Sequence, residues 1–213
     1  AAVVSGNDLY FLLSRNSDQA TLWRTDGTAG GTRQVPTPAV GGFLRNSFRL
    51  VAGEGKVYFV GTDIQSGREL WVSDGTGAGT RQLTSFPGDI PLDFNHTSLE
   101  VYPAGAKVFF ITSTFERGRE VWVPEGNPNQ IRRLSPDCPT FCNGVERETP
   151  PVVVGSRLLW IHQVNLTEES VWVSDGTVAG TTPVPGFCAP AGCDSPSNLV
   201  LLDGEAYVVA RHP

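Results

Sequence analysis

Apolar and β-branched residues in this chain come in short runs, paired across a tight polar turn, and the pairs recur. AAVVSGNDLYFLL, FRLVAGEGKVYFVG, LEVYPAGAKVFFIT, PVVVGSRLLWIH and NLVLLDGEAYVVA each read as a β-rich run, a turn and a second β-rich run. The aromatic or apolar marker of the second run falls at Tyr10, Tyr58, Phe109, Leu159 and Tyr207, spaced 48, 51, 50 and 48 residues apart. A second marker keeps the same register. It reads WRTDGTAGGT from Trp23, WVSDGTGAGT from Trp71, a degraded WVPEGNPNQI from Trp122, and WVSDGTVAGT from Trp172. Self-similarity at about fifty residues marks supersecondary units that bury their apolar faces on one another.

In the second unit, alternation and turn chemistry place strand a at 48–52, strand b at 56–61, strand c at 69–73 and strand d at 80–86. No window carries a useful helical period. Four short antiparallel strands per unit predict an all-β chain, a β-propeller whose twisted blades pack face to face. The repeats run approximately 1–47, 48–97, 98–149, 150–197 and a partial 198–213, taken as one domain over 1–213. The fifth unit has strands a and b only. The expectation is a larger propeller, completed by further blades or by another chain, because a bare hairpin leaves sheet edges unpaired.

Asp26-Gly27-Thr28, Asp74-Gly75-Thr76 and Asp175-Gly176-Thr177 stand between strands c and d. A tight turn there needs an aspartate to accept backbone amides two residues on and a glycine at positive φ, so these read as structural turns. Calcium is possible but unsupported, since it takes six to eight oxygens and each turn offers one carboxylate. Trp23, Trp71, Trp122 and Trp172 share one strand position and read as packing between blades, with Trp160 also core. Tyr10, Tyr58 and Tyr207, at the strand b register, read as core too.

Sixteen basic and twenty-two acidic residues give a net charge of −6, which disfavours a nucleic-acid partner. No apolar run approaches the ~20 residues of a membrane helix, so membrane insertion is not expected. Cys138 and Cys142 occupy one d-to-a connection and Cys188 and Cys193 the next. Local disulfides 138–142 and 188–193 are the expected state, placing the chain in a secretion-compatible compartment. A four-thiolate zinc site and free thiols are the alternatives, and proline inside each short spacing makes a poor zinc knuckle. Asn95-His96-Thr97 and Asn165-Leu166-Thr167 match glycosylation acceptors.

The motif REL-W-VSDGT-GAGT from Arg68, with its partner VWVSDGTVAGT, resembles the ELWxxDGT repeat proteins found mostly in bacteria. The resemblance covers nearly the whole chain. It implies a propeller-like β architecture and a secreted or cell-surface location, without a common catalytic site. The turn also resembles the Asp box of sialidase-type propellers, a structural element there.

Successive turns in an antiparallel blade alternate ends. The a–b and c–d turns therefore share one end, and the longer b–c and d–a connections share the other, where a binding surface is expected. Asp63 and Arg68, Asp89, Asp93 and His96, and Glu116, Arg117 and Arg119 are the candidate ligand contacts on those connections. They form no recognisable catalytic set and no linear metal motif, and no cofactor is expected. The leading expectation is a binding or structural module for a protein or polysaccharide. A fragment of a glycan-active propeller enzyme, with further catalytic residues outside this chain, is the alternative. A third is a self-assembling unit whose hairpin completes a neighbour's blade.

Overall fold

A computed structural model describes residues 1–14, 20–37, 50–63, 67–85, 100–114, 118–137, 144–163, 168–187 and 195–211. The described residues are all-β, with no helix. The first repeat contributes β1 (Ala2–Ser5), β2 (Asp8–Ser14), β3 (Ala20–Thr25) and β4 (Arg33–Gln34), which form a four-stranded antiparallel sheet in that order. The second gives β5 (Leu50–Gly53), β6 (Lys56–Asp63), β7 (Gly67–Ser73) and β8 (Arg81–Gln82), ordered in the same way. The third has β9 (Val101–Ala104), β10 (Lys107–Thr114), β11 (Gly118–Pro124) and β12 (Ile131–Arg133). Next comes β13 (Gly144–Val145), which no repeat pattern anticipates. The fourth repeat has β14 (Val152–Val154), β15 (Arg157–Gln163), β16 (Glu169–Ser174) and β17 (Thr181–Pro183), and the terminal hairpin β18 (Ser195–Leu202) and β19 (Glu205–Arg211).

Strand d is shorter than the pattern of the second repeat predicts: two residues in place of 80–86. The ladder there passes from strand to side chain. The Leu83 amide still donates to the Leu70 carbonyl, as Val35, Leu134 and Val184 donate to Leu22, Val121 and Val171 in the other repeats. One step on, the Leu70 amide donates to the Thr84 hydroxyl and the Val121 amide to the Ser135 hydroxyl. A hydroxyl that satisfies the next donor removes the need for another strand residue.

The chain divides into two compact units, Ala1–Val101 with Pro124–Ile131, and Tyr102–Val123 with Arg132–Pro213. Within both, the cores follow one rule. Each sheet has a face that pairs an aromatic residue of strand b with the tryptophan of strand c: Phe11 with Trp23, Phe59 with Trp71, Phe110 with Trp122, Trp160 with Trp172. Ring centroids lie 6.5, 6.5 and 6.4 Å apart in the first, second and fourth sheets, in stacked geometry. The opposite face carries Tyr10, Tyr58, Phe109 and Leu159. In the first unit, Tyr10, Ala20 and Leu22 of the first sheet close on Val57, Phe59 and Trp71 of the second. In the second unit, Phe109, Ile111 and Val121 of the third sheet meet Leu158, Trp160 and Trp172 of the fourth, whose own opposite face, Ile161 and Val171, meets Leu199, Ala206 and Val208 of the hairpin. Within each unit a tryptophan face, or its equivalent in the hairpin, thus receives the opposite face of the preceding repeat.

Tyr207 departs from the sequence expectation of a core residue, being 50% exposed. It stands on the hairpin's opposite face, which no sheet covers among the described residues. Trp23, on the tryptophan face of the first sheet, is half-buried, as is Trp172 in the fourth, whereas Trp71 and Trp122 are buried.

Candidate functional site at the loop-bearing end

The two ends of each sheet are built differently. At the c–d end, three turns repeat one hydrogen-bond network. In the second, the Thr76 amide and hydroxyl both donate to Asp74 Oδ1 at 2.9 and 2.7 Å, the Gly79 amide donates to the Thr76 hydroxyl at 3.0 Å, and the Thr80 hydroxyl reaches the Thr76 carbonyl. Asp26 with Thr28 and Asp175 with Thr177 reproduce it. The threonine bonds hold all three carboxyls below their ordinary pKa. Glycine at the second turn position has φ of 91°, 85° and 88°, left-handed backbone that favours it.

The later glycine of the motif has a different cause. A Cβ on Gly31, Gly79 or Gly180 falls about 2 Å from the aspartate carboxylate of its own turn. The second turn position also leaves room for the preceding repeat: Tyr10 and Arg24 lie over Gly75, and Lys107 lies over Gly176 while donating to the Asp175 carbonyl. In the third repeat Gly126 keeps its φ of 92°, but the threonine lacing is gone and the Asn129 amide donates to Asn127 Oδ1 instead.

Toward the other end, the cross-strand pair next to the aromatic–tryptophan pair on the same face differs in every repeat: Leu13 opposite Thr21, Gly61 opposite Glu69, Thr112 opposite Glu120, His162 opposite Ser170. Thr21 and Ser170 accept the indole N–H of Trp23 and Trp172, and Thr112 accepts that of Trp122. Where the strand c position carries a carboxylate, that group is buried and answered locally. Glu69 accepts the Thr84 hydroxyl at 2.5 Å, and Glu120 accepts Arg133 Nη1 at 2.9 Å. The residue thirteen positions after the tryptophan follows suit, Thr84 and Ser135 where glutamate stands and Pro36 and Pro185 where it does not.

At this end β13 lies in parallel beside β11 at Arg119 and antiparallel to β15 at His162 and Gln163, so the third and fourth sheets are knit into one. The close approach requires Gly144: its φ is 69°, and a Cβ there comes 2.1 Å from the Arg119 carbonyl. Arg119 is buried, and its guanidinium donates to the carbonyls of Val145 and Glu146. Beyond it, Glu146 Oε1 accepts the amides of Arg147 and Glu148. Burial first, then the neighbouring Glu146 charge, raise the pKa of Glu169. His162 is fully buried, edge-on to Trp172 with ring centroids 6.1 Å apart, and neither ring nitrogen has a hydrogen-bond partner among the described residues. Burial depresses its pKa to about 4, which keeps the imidazole neutral.

Of the candidate ligand contacts, Arg119 is the one whose side chain is described, and it braces β13. Asp63 ends β6 and Arg68 is the second residue of β7, both at the loop-bearing end of the second sheet. Asp89, Asp93, His96, Glu116 and Arg117 lie outside the described residues, as do all four cysteines and the two sequon asparagines. Sequence reasoning missed β13, Glu146, Glu169 and the environment of His162. The Gly-Val pair after the cysteine loop is too short to register as a strand by alternation.

The arrangement offers exposed charge from Arg147 and Glu148 above a buried polar layer. Among the described residues no group of three or more His, Cys, Asp and Glu side chains is placed to hold a metal ion. No helix among them is long and apolar enough to cross a membrane.

No family model matches the chain, and no curated protein does. Solved structures do. A Mycobacterium tuberculosis puromycin-hydrolysing peptidase is 17% identical over 98% of this chain and 34% of its own, with a TM-score of 0.51. A structure from a study of two prolyl endopeptidases is 14% identical over 96% of this chain and 33% of its own, also with a TM-score of 0.51. The chain spans about a third of the length of either. At such identities the likeness is one of fold.

Proposed function

We propose that this chain is a run of β-propeller blades of the ELWxxDGT repeat type, secreted or displayed at a cell surface, that binds a protein or polysaccharide through its b–c and d–a connections. One observation carries the reading. The c–d end is the same network three times over, saturated by its own hydroxyls, while the cross-strand pair next to the aromatic–tryptophan pair, toward the loop-bearing end, changes in each repeat and brings an ionisable group in three of the four. A scaffold that fixes one end and varies the other is suited to recognition. Within each unit the sheets that support the loops pack in one direction, which favours blades.

The test is a polysaccharide and surface-protein array probed with the labelled chain, beside a variant carrying Asp63→Ala, Arg68→Ala, Glu116→Ala and Arg117→Ala. Binding lost in that variant, but kept when Asp74→Ala alters the c–d end, supports the reading. Binding that survives the loop changes and disappears with Asp74→Ala refutes it. Release of reducing ends from an arrayed glycan would favour an enzyme instead.

A further inference from the structure

Aspartate precedes glycine at four places in the chain, and the structure sorts them into two classes: Asp26-Gly27, Asp74-Gly75 and Asp175-Gly176 in the c–d turns, and Asp203-Gly204 at the tip of the terminal hairpin. In such a step the glycine nitrogen attacks the aspartyl side-chain carbon when the carboxyl is neutral, the amide is free and the backbone can rotate to bring the two together. The c–d turns deny all three conditions. Each carboxylate Oδ1 accepts a threonine amide and a threonine hydroxyl, which hold the group ionised. Each glycine amide is held by the residue before the aspartate: Gly27 by the Thr25 hydroxyl, Gly75 by that of Ser73 and Gly176 by that of Ser174, every time at 3.0 Å. Those hydroxyls are tied in turn to Thr32, Thr80 and Thr181 across the turn, so the peptide between aspartate and glycine is fixed from both sides.

Asp203-Gly204 has none of this lacing. Leu202 pairs with Glu205, which leaves a two-residue hairpin turn with φ of 52° and 81°. Both residues are exposed, the Asp203 carboxyl and the Gly204 amide have no hydrogen-bond partner among the described residues, and a Cβ on Gly204 would meet nothing within 4 Å. Exposure alone does not set this step apart, because Asp26 and Gly27 are exposed too. Nor does it come from the hairpin's uncovered face: Glu54-Gly55, the corresponding turn of the second repeat, is exposed in the same conformation, with φ of 49° and 72°. We propose that Asp203 is a modification site, converting spontaneously to isoaspartate through a cyclic imide with the Gly204 nitrogen, and that the hydroxyls of the c–d turns shield Asp26, Asp74 and Asp175 from the same reaction. The nitrogen forms a bond to Asp203 Cγ, and the carboxyl hydroxyl leaves with the amide proton as water. Water then adds back at either carbonyl of the ring. Opening at Cγ restores aspartate; opening at the former main-chain carbonyl gives isoaspartate, with the chain now running through the side chain and one carbon longer at the turn. Glu54 is spared in its equivalent turn, since its side chain would have to close a larger ring. The reaction does not depend on the ligand-binding function proposed above.

Ageing the chain in mildly acidic buffer, folded and in urea, tests this, with digestion and electron-transfer mass spectrometry to tell isoaspartyl from aspartyl peptides. In the folded wild type, isoaspartate is expected at 203 at least about tenfold faster than at 26, 74 or 175, because each c–d turn must first break three hydrogen bonds. In urea the four steps should converge on one rate. Asp203→Glu, which copies the Glu54 turn, should abolish the product at that position and leave the other three as they were. Thr76→Val, which removes the hydroxyl from Asp74, should raise conversion at 74 and leave 203 unchanged. Near-ultraviolet circular dichroism checks that the variants fold, with Ser73→Ala, which frees the Gly75 amide, as a second way to unlace the same turn. A folded chain that forms no isoaspartate at 203 while the urea sample does overturns the proposal. So does equal conversion at 203 and at the c–d turns in the folded chain, or a preference for 203 that persists undiminished in urea.

Discussion

Protonation of His162 should make the fold acid-sensitive in a window set by burial alone. The imidazole is fully buried, and its folded pKa is about 4 against an ordinary 6.5. Between those values the unfolded chain binds a proton that the folded chain refuses, so stability rises with pH; the contribution is complete above about 6.5 and is lost as pH falls toward 4. A depression from 6.5 to about 4 corresponds to about 3 kcal/mol, a large share of a domain's stability. His162→Leu removes the titration at nearly constant volume. It also removes two buried ring nitrogens that lack partners among the described residues, a gain of about 1–3 kcal/mol, against about 1 kcal/mol for the lost edge-on contact with Trp172. The variant should therefore equal or exceed wild type at pH 7, and the gap should widen by about 3 kcal/mol on acidification to pH 4. Other groups drift over the same range. The raised pKa of Glu169 favours folding as pH falls, and the depressed Asp26, Asp74 and Asp175 oppose it at the acid limit. These cancel in the difference between the two proteins. Urea titrations at stepped pH give that difference, and the imidazole carbon-bound proton resonances give the folded pKa directly. A gap that stays constant from neutral pH to the acid limit, or a resonance titrating near 6.5, refutes the burial argument.

Three further substitutions follow from the local geometry. Gly79→Ala drives a Cβ into the Asp74 carboxylate and should cost about 1–2 kcal/mol in thermal unfolding through the lost turn bonds, whereas Gly30→Ala, with open space around it, should be neutral. Trp71 Nε1 is buried with no partner among the described residues, and the place that Thr112 fills for Trp122 is Gly61 in the second repeat. Gly61→Thr should therefore add about 1 kcal/mol, and the gain should vanish in a Trp71→Phe background. Gly144→Ala puts a Cβ against the Arg119 carbonyl at positive φ and should cost more than about 1 kcal/mol, with amide exchange rising first at Glu146, whose N–H is held by Ile161.

What was legible in the sequence is what repeats. The spacing of Tyr10, Tyr58, Phe109 and Leu159 placed strand b in every unit, and the Asp-Gly-Thr motif placed the c–d turn and its acceptor, because period and turn chemistry are local. The next layer was present in the letters but unused. The residue after each marker, Phe11, Phe59, Phe110 and Trp160, is aromatic in all four full repeats, and it is the one that meets the tryptophan. Reading it would have given the direction of stacking, since it fixes which face the indole occupies. The pairing of Glu69 and Glu120 with Thr84 and Ser135, against Thr21 and Ser170 with Pro36 and Pro185, was likewise visible as covariation between units. Buried carboxylates need a donor within reach, which Thr84 supplies to Glu69 and Arg133 to Glu120, while Thr84 and Ser135 alike accept the amide of the residue after the glutamate. The β13 strand and the burial of His162 were not legible. Both arise at β13, where the third repeat meets the fourth, and Gly144 permits that close approach.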